Sequence, residues 1–111
     1  MMKYGLKENV VEQIRKVFEK YTQVEKAVLY GSRAKGNFKN GSDIDLVLYG
    51  NNLTLQIINK ISNELDDLLL PYKFDLSIYH QISNKDLIEH IERVGIVFYE
   101  KEKIIKAGGK L

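Results

Sequence analysis

The chain has 111 residues, of which 44% are hydrophobic and 29% are charged, and its formal net charge is +2. This length suits one compact domain, and the composition is that of an ordinary globular protein rather than a disordered or membrane-embedded one. Because the charge is nearly balanced, a phosphate-binding site has to be a local feature. The absence of cysteine excludes disulfide frameworks, thiolate zinc sites and thiol nucleophiles.

The first third of the chain predicts a helix, a buried strand and a loop. Apolar residues recur at helical spacing over residues 7–21, which predicts an amphipathic helix. Residues 27–30 are an apolar run that ends at Gly31, a pattern typical of a buried strand entering a tight turn. Residues 32–42 show no sustained period and are expected to form a loop with room for one helical turn.

Two further strands are predicted over residues 43–49 and 73–79, because polar and apolar residues alternate in both. The alternation places Asp43 and Asp45 on one face of the first of these strands, with Ile and Leu side chains on the other. Asp75 lies in the same way on the polar face of the second strand. A helix capped by Thr54 is expected between the two strands.

The last predicted elements are a helix and a short strand. Ser83 and Asp86 have the spacing of a capping box, which predicts a helix that begins there and ends at Gly95. Residues 96–99 allow a short fourth strand. We therefore predict a single domain over residues 1–105, followed by a flexible C-terminal tail over residues 106–111.

This order of elements predicts an α/β fold with a mixed sheet of three main strands and a short fourth. The helix between the second and third strands is long enough for a right-handed crossover, which makes those strands parallel neighbours. The first and second strands are joined by a loop, which suits an antiparallel pair. We expect the helices to pack on one face of the sheet and to leave the aspartate face open to water.

The three aspartates are the strongest candidates for chemistry. Side chains at positions i and i+2 of a strand point the same way, with Cβ atoms roughly 6 to 7 Å apart, so Asp43 and Asp45 can share divalent metal. An Asp-x-Asp pair is usually ordinary surface, and a Gly-Ser pair after a strand is usually a simple turn. Only their combination in one chain is specific.

That combination resembles the nucleotidyltransferase superfamily of DNA polymerase β. A strand that ends in Gly31-Ser32, a loop, and a strand that opens with Asp43-Ile44-Asp45 are similar above all to its small bacterial and archaeal members, the minimal nucleotidyltransferases. The resemblance implies a polymerase β-type fold, ATP as the substrate, and two Mg²⁺ ions held by three catalytic aspartates. It assigns to Asp75 the metal that activates the attacking hydroxyl.

The residues around the Gly-Ser turn are candidates for binding the nucleotide. Gly31 lets the backbone approach a triphosphate, and Ser32 can donate its N–H and hydroxyl to phosphate. Arg33 either contacts phosphate or is a solvated side chain, and Ser42 either assists the site or closes the loop with a hydrogen bond. Many relatives carry arginine where this chain has Lys35, which keeps the charge but loses the planar fork.

Other residues predict no further site. His80 and His90 have no partner at metal-ligand spacing, so each is expected to be a surface histidine or one satisfied by packing. The tyrosines are expected to pack rather than to stack on bases, and no direct nucleic-acid binding is expected. Because the sequence has no signal-peptide pattern and no apolar run of membrane-spanning length, we expect a cytoplasmic protein without a membrane partner.

The resemblance also implies a biological role. Small relatives of this kind are encoded beside HEPN-domain ribonuclease toxins, and they act as antitoxins by transferring AMP from ATP to a tyrosine of the toxin. The expected partner is therefore a nearby-encoded HEPN-domain protein in a hetero-oligomer. Two alternatives stay open, a small-molecule acceptor such as an aminoglycoside and a non-catalytic subunit that neutralises its partner by contact. No segment specifies the nucleotide base.

Overall fold

Helices and strands alternate along the chain in the computed structural model, which describes residues 2–102. In chain order the elements are β1 (Met2–Lys3), β2 (Leu6–Lys7), α1 (Glu8–Glu19), β3 (Lys26–Tyr30), α2 (Gly31–Lys35), β4 (Ile44–Tyr49), α3 (Leu55–Asp67), β5 (Phe74–Ile78), α4 (Lys85–Val94) and β6 (Ile96–Glu100). A 3₁₀ turn, Tyr79–Gln81, follows β5. The predicted mixed α/β fold is confirmed, and the single helical turn allowed for in the loop is α2.

The main sheet has four strands in the order β5-β4-β3-β6. Strands β4 and β5 are parallel and are joined by α3, whereas β3 runs antiparallel to both β4 and β6. These directions confirm the predicted crossover and the predicted antiparallel return. The short fourth strand is also present, and it lies at the sheet edge beside β3.

The larger core lies between the sheet and the helices α1 and α3. Strand β4 presents Ile44, Leu46 and Leu48 to this core, and all three are fully buried. The predicted apolar face of that strand is therefore confirmed. Helix α3 begins as predicted, since the Thr54 hydroxyl accepts a hydrogen bond of 3.2 Å from the N–H of Ile57.

Helix α4 packs on the opposite face of the sheet, so the prediction that helices pack on one face only is wrong. Ile91 of α4 forms a second buried cluster with Val28, Tyr30 and Val47. On the face that carries the aspartates, β3 and β4 also present the apolar side chains of Val28 and Val47. Burying these side chains favours the packing of a helix there. At the end of this face that carries the aspartates, Asp75 is exposed.

The start of α4 differs by one residue from the prediction. Asn84, not Ser83, is the N-cap, and its side-chain oxygen accepts a 3.1 Å hydrogen bond from the N–H of Leu87. Asn and Ser are comparable caps, so spacing alone does not distinguish them. The predicted end of the helix at Gly95 is confirmed.

A small hairpin of β1 and β2 precedes α1, and the sequence pattern does not predict it. Its turn is formed by Tyr4 and Gly5, with φ angles of 57° and 75°. Strands of two residues are too short to show alternation, which explains why no pattern marks them.

The predicted domain boundary at residue 105 and the tail over residues 106–111 lie outside the described residues. Within residues 2–102, no helix combines the length and the apolar character needed to cross a membrane.

Candidate active site

Two of the three aspartates lie side by side on neighbouring strands. Asp45 of β4 is the register partner of Asp75 of β5, and on its other side it pairs with Tyr30 of β3. Directly opposed residues on adjacent strands point to the same side of a sheet, so Asp45 and Asp75 share one face. Asp43 lies two residues before Asp45 and just ahead of β4, rather than within that strand.

The three carboxylates differ in exposure. Asp43 and Asp75 are exposed, whereas Asp45 is half-buried. Burial raises the pKa of Asp45 to about 6, and the charges of Asp75 and Asp43 act in the same direction, while Arg33 opposes them. The ion pairs formed by residues 2–102 involve none of the three aspartates. Their negative charge is therefore concentrated and largely uncompensated.

This donor set fits a hard divalent cation such as Mg²⁺. Carboxylate oxygens are its preferred ligands, and a cation would relieve the repulsion among these carboxylates. Across residues 2–102, however, no group of three or more His, Asp or Glu side chains is already gathered in a metal-binding arrangement.

The predicted tight turn at Gly31 is confirmed, and it lies directly against Asp45. Gly31 has a φ of 75°, a conformation that disfavours residues with a side chain. A Cβ placed on Gly31 would lie 2.3 Å from Oδ2 of Asp45, far inside normal contact distance. Only glycine therefore lets the turn approach this carboxylate. Ser32 follows in the first turn of α2 and is half-buried.

His90 also belongs to this region, although it is distant in sequence. Its Nε2 atom accepts a hydrogen bond of 3.1 Å from the N–H of Gly31. The imidazole packs edge-on against the ring of Tyr30, with 6.0 Å between the ring centroids. The expectation of a satisfied histidine is correct, but the sequence carries no sign that its partner is the Gly-Ser turn.

Arg33 is buried, which excludes the solvated side chain considered as the alternative to a phosphate contact. Its side chain is only 3% exposed. Nε and Nη2 donate to the carbonyl of Ser42 at 3.1 and 2.8 Å, and Nη1 donates to the carbonyl of Tyr4 at 2.9 Å. The guanidinium also lies against the rings of Phe38 and Tyr72. These contacts connect the N-terminal hairpin with the loop before Asp43; a contact with phosphate stays a prediction.

Ser42 closes its own loop. Its hydroxyl accepts a hydrogen bond of 2.9 Å from the N–H of Lys39, which is the second of the two roles considered for it. Its contact with nucleotide stays a prediction.

Lys35 is exposed at the end of α2, so its side chain, unlike that of Arg33, is accessible to solvent.

Arg33→Lys is expected to destabilise the fold by about 2 to 3 kcal/mol, because a single ammonium cannot reproduce a fork bound to two carbonyls. Urea unfolding of both proteins measures the difference. Arg93→Lys is the matched control, since Arg93 is exposed and makes only a surface ion pair with Glu89. Equal small losses in the two variants would contradict the structural role of Arg33.

A Gly-Ser turn held against a strand aspartate, with a second aspartate on the next strand, also marks a known family. The family model described as polymerase beta, nucleotidyltransferase matches residues 12–104. The chain belongs to this nucleotidyltransferase family. Its fold and its predicted nucleotidyltransferase activity are thereby established at the level of the family.

The nucleotidyltransferase is also similar to individual proteins. It is 32% identical over 89 residues to a Methanocaldococcus jannaschii protein with a provisional assignment as a protein adenylyltransferase, covering 71% of this chain and 73% of that one. Two solved structures share its fold. One is a toxin–antitoxin complex with AMP-PNP (TM-score 0.66, 18% identity, 87% of this chain and 76% of that chain). The other is a tri-AMPylated Shewanella oneidensis HEPN toxin with its MNT antitoxin (TM-score 0.63, 16% identity, 85% and 72%).

Proposed function

We propose that this nucleotidyltransferase transfers AMP from ATP to a tyrosine hydroxyl of a HEPN-type partner protein and so acts as its antitoxin. The observation that carries the proposal is the contact of the Gly31 turn with Asp45, beside Asp75 on the next strand. This contact brings a backbone turn that can bind phosphate next to carboxylates that can bind metal.

The nucleotide side of the reaction depends on the turn. Gly31 has no side chain to block the triphosphate, and Ser32 offers an N–H and a hydroxyl as donors. We assign these two residues to the phosphates, with Ser42 supporting the loop that precedes Asp43. Arg33 is assigned to holding that loop, because its described hydrogen bonds go to backbone carbonyls.

The chemical step needs positive charge beside the phosphates and a group that accepts the proton of the attacking hydroxyl. Asp43, Asp45 and Asp75 would hold two Mg²⁺ ions, which when bound supply the positive charge that stabilises the entering and leaving oxygens. The acceptor oxygen attacks the α-phosphorus, the bond from that phosphorus to the oxygen bridging to the β-phosphate breaks, and pyrophosphate leaves. We assign the removal of the proton from the attacking hydroxyl to Asp75, and the exposure of its carboxylate supports this assignment.

The acceptor side favours a protein. Asp43 and Asp75 are exposed, so the site is open to a side chain presented by another molecule. The similar M. jannaschii protein has a provisional assignment as a protein adenylyltransferase, and a chain of similar fold occurs with an AMPylated HEPN toxin. These likenesses support a HEPN partner and a hydroxyl acceptor in a hetero-oligomer.

The test is transfer of labelled AMP to the neighbouring gene product. Purified chain, that protein, Mg²⁺ and ATP labelled at the α-phosphate should yield labelled partner, while ATP labelled at the γ-phosphate should not. Asp43→Asn should lower labelling at least about tenfold, because it removes a metal ligand. Asp66→Asn is the matched control, since Asp66 is exposed on α3, which packs on the other face of the sheet.

Each failure has a distinct meaning. Undiminished labelling by Asp43→Asn would contradict the assignment of the aspartates. Label on a small molecule such as an aminoglycoside, but not on protein, would contradict the protein acceptor. If a variant lacking all three carboxylates still neutralised the partner, neutralisation by contact would replace transfer as the function.

A further inference from the structure

His90 lies on α4 outside the aspartate cluster, and yet it is hydrogen-bonded to the turn of the active site. The N–H of Gly31 donates to its Nε2 atom at 3.1 Å. We propose that His90 is a positioning residue that holds the Gly31 turn against Asp45 in the conformation that binds the triphosphate. This inference rests on the proposed function, and it assigns to α4 a part in the site.

The hydrogen bond determines which imidazole nitrogen carries the proton. A backbone N–H needs an acceptor, so Nε2 must be unprotonated while this bond exists. The neutral ring then carries its proton on Nδ1. The opposite tautomer of His90 is therefore incompatible with the contact to the turn.

The imidazole is fixed by its surroundings and is not a freely moving surface group. Its ring meets the ring of Tyr30 at 81°, and Tyr30 is only 7% exposed. The adjacent Ile91 anchors α4 in the second cluster with 2% exposure. At the end of the helix, a Cβ on Gly95 would lie 2.7 Å from Val28, so α4 lies close against the sheet.

The turn is consequently held from two directions. Asp45 lies where a side chain of Gly31 would be, and His90 takes the N–H of the same residue. Without the acceptor, this N–H loses its partner and the turn gains freedom. Because the triphosphate contacts the turn in the ground state and the transition state alike, the loss should weaken ATP binding more than it slows the chemical step.

Steady-state AMP transfer by three variants tests this inference. His90→Leu should raise KM for ATP about five- to tenfold, with kcat changed by less than about twofold. His90→Gln should restore most of the affinity, since its side-chain oxygen can accept from Gly31. His80→Leu is the matched control because His80 is exposed in the turn after β5, and its KM should equal that of the parent.

Nitrogen NMR of the parent chain supplies a readout that needs no activity. In the neutral imidazole, an unprotonated Nε2 and a protonated Nδ1 are expected, together with a shift of the Gly31 amide signal in His90→Leu. The opposite tautomer, or an unchanged KM in a folded His90→Leu variant, would overturn the inference. If the parent transfers no AMP while the expected tautomer is found, the proposed function is wrong, but the hydrogen bond between His90 and the Gly31 turn is still supported.

Discussion

Gly31→Ala is expected to lower AMP transfer by about 100-fold or more, although the substitution adds only one carbon. The new Cβ would occupy a position 2.3 Å from Oδ2 of Asp45, so the turn or the carboxylate has to move. A displacement of about 1 Å between catalytic groups is enough for a loss of this size. The rate at saturating ATP and partner, measured well below the unfolding midpoint, gives the comparison.

Gly36→Ala separates backbone strain from displacement of the carboxylate. Gly36 has a φ of 90°, similar to that of Gly31, but nothing lies within 4 Å of the place that a Cβ on it would take. Both variants should lose roughly 1 to 2 kcal/mol of stability from the left-handed conformation. Only Gly31→Ala should lose most of its rate, and equal rate losses would show that the contact with Asp45 is unimportant.

Asp45→Asn is expected to slow transfer about 1,000-fold and at the same time to stabilise the metal-free protein. The first effect follows from loss of a central metal ligand. The second follows because the ionised carboxyl is partly desolvated and lies near two others, which raises its pKa from 3.8 to about 6. Such a pKa shift corresponds to about 3 kcal/mol of destabilisation of the folded state by the ionised carboxyl, which solvent screening reduces to roughly 1 to 2 kcal/mol.

The gain in stability should depend on pH in a defined direction. The raised pKa means that the folded chain binds the Asp45 proton more tightly than the unfolded chain does. The charge therefore destabilises the parent fully above pH 6, and this penalty disappears as the pH falls below the unfolded value of 3.8. The advantage of Asp45→Asn should be largest at neutral pH and should vanish in acid.

Denaturant unfolding in EDTA and in Mg²⁺ measures both parts of this prediction. Magnesium should stabilise the parent more than Asp45→Asn, because the variant lacks a ligand that binds only in the folded state. Asp66→Asn, exposed on α3, should show neither the gain in EDTA nor a changed response to magnesium. A parent that is no less stable than Asp45→Asn in EDTA would contradict the charge argument.

The features that sequence predicts well are those with a local physical cause. Alternation alone identifies the face of β4 that buries Ile44, Leu46 and Leu48, because side chains of a strand alternate between its sides. The same rule predicts that Asp45 and Asp75 share a face. The position of Gly31 after an apolar run indicates the turn.

The features that sequence does not predict depend on contacts between distant segments. Arg33 has the pattern of a charged surface residue, and only the fold brings the carbonyls of Tyr4 and Ser42 around it. His90 is similar, because its acceptor role exists only when α4 packs on the sheet face beside Tyr30. Val28 and Val47 lie within apolar runs, which do not indicate that a second face of the sheet is covered.

The carbonyls that bind Arg33 suggest how freely this protein can change in sequence. Both acceptors belong to the main chain, and every amino acid supplies a carbonyl whatever its side chain. Substitutions at residues 4 and 42 therefore leave an acceptor for Arg33 in place, whereas position 33 requires a forked cation. In a library of random variants, loss of these hydrogen bonds should therefore arise from changes at the donor and not from loss of an acceptor group.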